Sequence, residues 1–521
     1  MTIADAGDEC ENIAPAFAFS APAPPLRPQV VELALARDHE PRLDHFFKSH
    51  ARNELLSMWF GPMLETLYDR GEAALRTVLD RDIAALDTLI GEQLDAILHH
   101  PEFQRLEASW RGVQSLLDSI NDDERVQVRM LAATWDELSR DLDRASEFDQ
   151  SELFAKIYNE EYGMPGGLPY GLLLCDYAVR HRRPAGSGSK SDDIGTLNSL
   201  AQVAAAAFAP CVIGGAPQLF GIDSFSELSY VQDLFTAFRA PEYARWRNFQ
   251  QRDDARFLGI VVPRVLMREP WSDTGSRNDR FRYQEGRRGL DFEDWLWGNG
   301  VYAFGAVAVR AFRDWGWFAD IRGTRVDQDE AGLVTGFPAP VFSTGEAGAF
   351  RRPLEVEITD AKQKVLDNLG FISLSPCRLT PFMAFLGTQS AHVPDDQSII
   401  NSEVANANIR LSSMLQYMLC ISRFAHYVKV MTRDRVGAYT TSEELERVLA
   451  EWLRLYTIGN DDASFEMKAR FPLSSGSVEV KEVPGKPGTY ICTMHLKPHF
   501  QIDQMMTGFR LQTEVQGLRS G

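Results

Sequence analysis

One stretch of the sequence restricts the possible folds more than any other, and it runs from residue 401 to residue 439. Its apolar side chains recur at steps of three and four residues, which places them along one stripe of an α-helix. The polar strip opposite, with Ser412, Gln416 and Arg423, is narrow. We therefore predict a buried helix over 404–431 that forms the spine of a domain. Its predicted core positions are Leu411, Leu415, Met418, Phe424, His426 and Tyr427.

Size and composition favour a protein of several globular domains. The chain has 521 residues, of which 44% are hydrophobic and 24% are charged, so it can bury two or three cores. A formal net charge of −19 argues against nucleic acid or an anionic membrane surface as the principal partner. The six cysteines are scattered, as is typical of reduced thiols. The sequence opens without a signal peptide and has no bilayer-spanning apolar run, so we expect a cytoplasmic protein with no direct membrane insertion.

The first part of the chain is predicted to be a tail followed by helices. Residues 1–29 are rich in Ala and Pro, which favours a disordered tail, and residues 30–75 carry short helical patterns. Two long helices joined at His99 and His100 then predict a helical hairpin. Its two apolar stripes are Ile83, Leu86, Ile90, Leu94 and Ile97 on the first helix and Phe103, Leu106, Trp110, Val113, Leu117 and Ile120 on the second.

The middle of the chain alternates strand and helix patterns, which predicts an α/β domain with a largely covered sheet. The C-terminal part that follows is predicted to hold a further strand over 354–358. It is also predicted to hold a β-hairpin with its turn at 484–488, followed by a last strand over 506–515. The predicted strands of the middle part are 126–131, 171–179 and 257–262, and its predicted helices are 193–208 and 294–312.

A second helix after the spine has a clear start signal. Thr441, with Glu444 three positions later, forms a capping-box pattern for a helix that ends near residue 456. Its apolar face includes Leu445, Leu449 and Leu453 and is expected to point inward. The charged residues expected to stand outward are Glu443, Glu444, Arg447, Glu451 and Arg454.

Several stretches resemble the large sheath subunit (TssC, also called VipB, ImpC or EvpB) of type VI secretion systems. The segment IRLSSMLQYMLCISRFAHYVKVMTRDRVGAY lies in the spine, PEFQRLEASWRGV in the hairpin, and GIVVPRVLMREPW and WLWGNGVYAFGAVAV in the middle part. The resemblance extends in order over about residues 80–520. It implies a mixed α/β, contractile-tail-sheath-like fold with several domains. Residues 76–330 would form the middle domain, which opens with the hairpin, and residues 331–521 the inner sheath domain.

The resemblance also implies a structural protein without a catalytic, metal or cofactor site. In that family the subunit pairs with a small sheath subunit (TssB, or VipA-like) and self-assembles into a helical sheath around the Hcp tube. Assembly starts on baseplate components at the membrane, and a Clp-family AAA+ ATPase recycles the sheath. The charged face of the helix after Thr441 would then face the tube.

Subunits that slide while remaining linked can do so by strand exchange, because main-chain hydrogen bonds tolerate different side chains. A self-contained three-stranded sheet is the alternative. The helix over 404–431 and the helix over 442–456 are expected to offer more apolar surface than one chain covers, so we predict obligate pairing with the small subunit. The candidate residues of the inter-subunit strands are Val478, Val480, Tyr490, Cys492, Met494, Phe509 and Leu511.

Two alternatives remain open at this point. Residues 1–75 depart from the family pattern, so recognition by the recycling ATPase is in question and an accessory paralogue is possible. A different class of protein, a soluble α/β enzyme, would bind a nucleotide at the loop from Gly186 to Ser191. That loop lacks the spacing of a phosphate-binding loop, since Ser189 rather than Gly precedes Lys190, which favours a plain polar loop.

Overall fold

The structure is a computed structural model that describes most of the chain. The predicted tail of residues 1–29 lies outside the described residues, as do Leu411 of the spine and the loop from Gly186 to Ser191. The described residues are 42–121, 123, 125–162, 164, 166–182, 192–275, 281–286, 292–318, 320–324, 332–339, 352–377, 380–393, 413–435, 441–460, 463–482, 489–499 and 509–516.

The chain divides into two compact units, each built from two stretches of sequence. Unit 1 comprises Met1–Gln104 and Pro270–Trp295, and unit 2 comprises Arg105–Glu269 and Leu296–Gly521. The second stretch of unit 1, Pro270–Trp295, is thus inserted in the sequence between the two stretches of unit 2, and we call it the excursion.

Unit 1 consists of helices around a small core. Gly71 separates the last two of these helices and has a φ of 93°, a conformation that glycine adopts at little cost. The buried apolar cluster of this unit is formed by Phe60, Leu67 and Leu75. The helices are α1 (Arg42–Lys48), α2 (Arg52–Phe60), α3 (Met63–Asp69) and α4 (Glu72–Leu98).

Unit 2 holds the other described helices. Helix α5 (Pro101–Ile120) begins in unit 1 and ends in unit 2. A stretch of helical turns over Glu152–Phe154, Ala155–Asn159 and Glu160–Tyr162 contains one π-helical turn, its middle segment. The further helices are α6 (Trp135–Arg144), α7 (Asp193–Ala207), α8 (Leu234–Arg239), α9 (Ala244–Gln250), α10 (Val301–Trp315), α11 (Asp360–Asn368), α12 (Leu415–Arg435), α13 (Ser442–Arg454) and α14 (Phe465–Arg470).

The strands of unit 2 form three sheets. The strands are β1 (Leu173–Val179), β2 (Cys211–Gly215), β3 (Leu258–Val262), β4 (Val265–Arg268), β5 (Leu296–Gly298), β6 (Leu333–Val334), β7 (Ile372–Pro376), β8 (Met383–Phe385), β9 (Leu473–Glu482), β10 (Thr489–Pro498) and β11 (Phe509–Gln516). The central sheet has the order β1-β2-β3-β7-β8-β6, a three-stranded sheet has the order β11-β10-β9, and β4 pairs with β5.

The central sheet confirms the predicted α/β architecture. Strands β1, β2, β3 and β7 run parallel, whereas β8 is antiparallel to both β7 and β6. Every residue of β2 and β3 is buried, as expected for parallel strands that are covered on both faces. The sheet takes β6, β7 and β8 from beyond residue 331, so the predicted domain boundary at that residue runs through one sheet. That boundary stays a prediction.

The predicted spine is helix α12, and it is buried as expected. Leu415 and Leu419 pack in the apolar cluster that includes β4, whereas Met418 and Phe424 pack in the cluster that includes α7. Helix α12 therefore lies between the two core clusters of unit 2. Of its predicted core positions, Leu415, Met418, Phe424 and His426 are at most 5% exposed, and Tyr427 is half-buried.

The prediction of one continuous helix over 404–431 is wrong. Ser413 lies in a turn and Met414 forms an isolated bridge with Gln389, and the predicted residues 404–412 lie outside the described part of the chain. The N–H of Leu415 donates to the carbonyl of Thr388 at 2.8 Å. The backbone before α12 is thus engaged in pairing with another segment, which a helical periodicity cannot indicate.

Three further predicted elements are wrong. Residues 126–131 pair with no strand within the described part of the chain, and Met130 among them is 63% exposed. The helix predicted over 294–312 starts only at Val301, because Leu296–Gly298 form β5 against β4. The strand predicted over 354–358 is reduced to one bridge between Leu354 and Val265. In each case the local pattern was compatible with the element, but the available pairing partners decided the outcome.

The remaining predicted elements are confirmed, and their ends differ from the predicted ones by at most four residues. Strands β1 and β3 and helix α7 occur where expected, and so do α13 and the antiparallel pair of β9 and β10. The predicted turn at 484–488 lies outside the described residues. The last predicted strand corresponds to β11.

Candidate interaction surfaces

The described residues form no site with obvious chemistry. Within them, no group of three or more His, Cys, Asp or Glu side chains is placed to hold a metal ion. None of the described helices combines the length and the hydropathy that crossing a bilayer requires. The cysteines in the described ranges are free thiols, and Cys211, Cys420 and Cys492 are buried. The surfaces and polar clusters of the described residues are therefore the candidate interaction sites.

A small cleft of about 130 Å³ in unit 1 is lined by polar groups that stabilise the fold. Asp95 on α4 accepts hydrogen bonds from the Tyr283 hydroxyl at 2.7 Å and from the Gly286 N–H at 3.3 Å. Nε2 of His99 lies 3.1 Å from Oε1 of Glu285. These bonds tie the second stretch of unit 1 to α4, so their residues have a structural role.

His426, a predicted core position, is a neutral residue inside unit 2. Its Nε2 lies 3.2 Å from the carbonyl oxygen of Ala207, and its Nδ1 lies 3.3 Å from the Arg423 guanidinium. A carbonyl oxygen can only accept, so Nε2 carries the hydrogen and Nδ1 accepts from Arg423. Burial, followed by the charge of Arg423, lowers the pKa of His426 to about 3. The imidazole therefore joins α12 to α7 as a neutral ring.

Lys429, one turn further along α12, is held by aromatic rings. Its Nζ lies 4.8 Å from the ring centroid of Tyr158, 5.2 Å from that of Tyr162 and 4.9 Å from that of Phe208. The same Nζ donates to the Tyr158 hydroxyl at 3.1 Å. Such cation–π contacts fix α12 against the helical turns that include Ala155–Asn159.

Helix α13 separates an apolar face from a charged face, as predicted. Oγ1 of Thr441 accepts the N–H of Glu444 at 3.3 Å, which is the first half of the predicted capping box. Leu445, Leu449 and Leu453 are buried. The predicted outward residues Glu443, Glu444, Arg447, Glu451 and Arg454 are all exposed. Their role in binding stays a prediction.

The three-stranded sheet holds the predicted inter-subunit strands. Val478 lies opposite Met494, and Val480 lies opposite Cys492, and all four side chains are buried. Tyr490 is half-buried. Phe509 and Leu511 of β11 are in register with Leu496 and Met494 of β10. In the single chain these strands pair with one another, so strand exchange between subunits stays a prediction.

Helices α4 and α5 leave most of their apolar stripes exposed. Helix α5 buries another face, where a Cβ atom on Gly112 would lie 2.3 Å from the Tyr302 ring of α10. The excess apolar surface thus lies on α4 and α5, and the prediction that α12 and α13 carry it is wrong, because their apolar faces are covered within the chain. The exposed stripe residues are Ile83 (44%), Ile90 (47%), Ile97 (53%), Phe103 (37%), Leu106 (57%), Trp110 (59%) and Leu117 (50%).

Sequence reasoning missed two polar residues that shape unit 2, Lys429 and Glu446. A charged residue at 429 within an apolar helix was a usable signal, because such a residue needs a partner when it is covered. Glu446 on α13 accepts the N–H of Val480 at 2.9 Å. Its place at the border between the two faces of an amphipathic helix gave no such signal.

Two family models match the chain in succession. The model described as EvpB/VC_A0108, tail sheath N-terminal domain, matches residues 80–392, and the model described as EvpB/VC_A0108, tail sheath gpW/gp25-like domain, matches residues 404–515. A curated relative from Pseudomonas aeruginosa, "Type VI secretion system sheath protein TssC1", is 35% identical over 427 residues, which cover 81% of this chain and 83% of that protein.

A weaker likeness is found among solved structures. A chain in the cryo-EM structure of the anti-feeding prophage baseplate is 9% identical, with a TM-score of 0.33. The likeness covers 74% of this chain and 83% of that chain.

Proposed function

The chain belongs to the type VI secretion tail sheath family as a large (TssC-type) subunit, and from this we propose that it builds a contractile sheath. In this proposal it pairs with a small sheath subunit of the TssB type, polymerises around an Hcp tube and contracts to expel it. The supporting observation is that both sheath domains of the family, the N-terminal and the gpW/gp25-like domain, have their counterparts here in order. We further infer that the protein acts without catalysis.

Pairing with the small subunit is supported by the exposed apolar residues of α5. Leu106, Trp110 and Leu117 lie on one side of this helix and are each at least 50% exposed. Contiguous exposed apolar surface is typical of a protein–protein interface. Co-expression with the cognate small subunit is expected to give heterodimers or tubules. A monodisperse monomer that ignores the small subunit would contradict the proposal.

The charged face of α13 is the proposed contact with the tube. Its apolar face is committed to the core, so Glu443, Glu444 and Glu451 with Arg447 and Arg454 remain for a partner. Single exposed charge contacts contribute about 0–1 kcal/mol each, but a sheath repeats them many times. Such contacts are screened by salt and easily released, which suits a tube that has to slide out.

Reversing Glu443, Glu444 and Glu451 to Lys tests the tube contact. We expect the triple variant to pair with the small subunit as the parent does, and to lose sheath assembly around the tube. The matched control reverses the exposed residues Glu147, Asp149 and Glu227 to Lys, which changes the net charge equally elsewhere. Full-length sheaths that contain the tube in the first variant would show that α13 does not face it.

The remaining partners follow from the same proposal. Neighbouring subunits would remain linked through the strands of the three-stranded sheet while they slide. Assembly would start on a membrane-anchored baseplate in the cytoplasm, and a Clp-family AAA+ ATPase would recycle the contracted sheath. The family models begin at residue 80, so the region before it is where recognition by that ATPase has to be tested.

A further inference from the structure

The two edges of the C-terminal sheet differ in their access to a partner strand. In the order β11-β10-β9, strands β9 and β11 are the edges. An edge strand presents a row of N–H and C=O groups that another chain can use for pairing. Under the proposed function a neighbouring subunit brings such a strand, and two equivalent edges would compete for it.

The C-terminal part of the β9 edge is closed by a side chain. Val480 lies opposite Cys492 of β10, yet its N–H donates to Oε2 of Glu446 on α13 at 2.9 Å. Alternate residues of a β-strand direct their backbone groups to the same edge. The N–H of Val480 therefore belongs to the row that faces away from β10, and Glu446 occupies this row near its C-terminal end.

The beginning of the β9 edge is closed by backbone. The N–H of Leu473 donates to the carbonyl of Tyr456 at 3.2 Å, and the carbonyl of Leu473 accepts from the N–H of Ile458 at 2.9 Å. A parallel bridge between Thr457 and Leu473 results. The segment that follows α13 thus pairs where an added strand would begin.

Close packing holds Glu446 in place over this edge. A Cβ atom on Gly476 of β9 would lie 2.7 Å from Cδ2 of Leu453, so α13 approaches the strand as closely as a glycine allows. The electrostatic surroundings agree with this position. Burial, together with the carboxylate of Glu446, raises the pKa of the Cys492 thiol to about 12.

We propose that Glu446 is the specificity-determining residue of this sheet: it closes the β9 edge, so that a strand from a neighbouring sheath subunit pairs with β11. No described strand lies on the outer side of β11. Loss of the carboxylate opens a second acceptor edge and permits association in the wrong register. The arrival of a strand rests on the proposed function, whereas the closure of β9 by Glu446 does not.

The closure is tested by amide hydrogen exchange on the full-length chain before assembly, resolved to single amides by fragmentation. In Glu446→Ala the Val480 amide is expected to exchange at least about tenfold faster than in the parent, because it loses a charge-assisted hydrogen bond. Glu446→Gln keeps an oxygen acceptor and is expected to stay within about threefold of the parent. Glu466→Ala, at an exposed position on α14, is the matched control and is expected to leave the exchange of the Val480 amide unchanged.

The outcomes separate a local role from a general loss of stability. If Glu446→Ala accelerates the hydrogen exchange of the Val480 amide while the buried amides of α13 exchange at the parent rate, the β9 edge has been opened without unfolding the helix. Equal exchange of Val480 in Glu446→Ala and in the parent overturns the proposal. Faster amide exchange throughout α13 and β9 in both the Ala and the Gln variant overturns it as well, since Glu446 would then stabilise the fold in general.

The second arm follows exchange upon assembly with the small subunit and the Hcp tube. In the parent, the amides of β11 are expected to gain at least about tenfold protection, whereas those of β9 stay within about twofold. New protection of β9 in the parent sheath contradicts the proposal. If the parent forms no sheath at all, the proposed function fails, and the exchange of Val480 before assembly still decides the role of Glu446.

Discussion

Helices α4 and α12 have similarly regular apolar patterns, yet the chain covers them to very different extents. In α12 the side chains of Leu415, Phe424 and Val428 are fully buried. In α4 the stripe residues Ile83 and Ile90 are 44% and 47% exposed. Helix α12 lies between two core clusters of unit 2, whereas unit 1 offers α4 a cluster of three buried apolar residues.

The difference shows what apolar periodicity does and does not determine. It predicts a helix and the direction of its apolar face, because side chains three and four positions apart lie together. It does not say whether the covering surface comes from the same chain or from another one. A subunit that functions only in a polymer can leave such a face for its neighbour.

The largest effect is expected from truncating Phe424 on α12. Its ring stacks on Trp317 at 4.4 Å and is fully buried, so Phe424→Ala removes contacts on several sides. We expect a loss of about 3–5 kcal/mol in the free energy of unfolding of unit 2, measured by chemical denaturation. A loss below about 1 kcal/mol would mean that α12 is no better covered than α4.

Truncating Phe60 tests the small core of unit 1, on which α4 packs. Phe60 is fully buried in the small core of unit 1. We expect Phe60→Ala to make α1–α4 sensitive to limited proteolysis, since a cluster of three side chains cannot lose its largest member. The thermal transition of unit 2 is expected to remain where it is in the parent. If Phe60→Ala also lowers the thermal transition of unit 2, the stabilities of the two cores are coupled.

Acid is expected to weaken α12 through His426. An unfolded histidine has a pKa of about 6.5, whereas the folded residue has a pKa of about 3. Below pH 6.5 the unfolded state therefore binds more protons than the folded state, and the free energy of unfolding decreases as the pH is lowered. Between pH 7.5 and pH 5 this residue accounts for about 2 kcal/mol. In His426→Gln, which keeps a donor and an acceptor, the acid-induced drop in melting temperature is expected to shrink. His495→Gln, at an exposed position on β10, is the control and leaves the drop unchanged.

The smallest effect is expected on the exposed stripe of α4. Ile90→Ser removes an apolar side chain that is already 47% in solvent, so the stability of the isolated chain should change by less than about 0.5 kcal/mol. The melting temperature of the chain alone checks this. A drop of more than about 1 kcal/mol would indicate that the stripe is covered in the unassembled protein.

Much of unit 2 could be predicted from the sequence. The run that forms β3 is almost continuously apolar, which is typical of parallel strands covered on both faces. The start of α13 carries its own signal in Thr441 and Glu444. These elements were predictable because local chemistry and tertiary packing favour the same structure.

The features that the sequence did not reveal depend on long-range partners. The N–H of Leu415 donates to the carbonyl of Thr388, at the point where the described part of the spine helix begins. The Val480 amide is held by Glu446, a residue whose place on α13 is unremarkable. Likewise, residues 126–131 have a strand-like pattern but find no strand beside them among the described residues. Pairing between distant segments leaves no local periodicity to detect.

The excursion Pro270–Trp295 has a consequence for the order in which the protein is made. Tyr283 and Glu285 in it bind Asp95 of α4 and His99 directly after that helix, so unit 1 lacks part of its own contacts until these residues exist. Helix α4 ends at Leu98, and about 200 residues separate it from the end of the excursion. At about 5–20 residues per second, α4 waits roughly 10–40 s on the ribosome for these contacts. A chaperone that binds nascent apolar helices therefore has this interval in which to bind α4, before any neighbouring subunit can reach it.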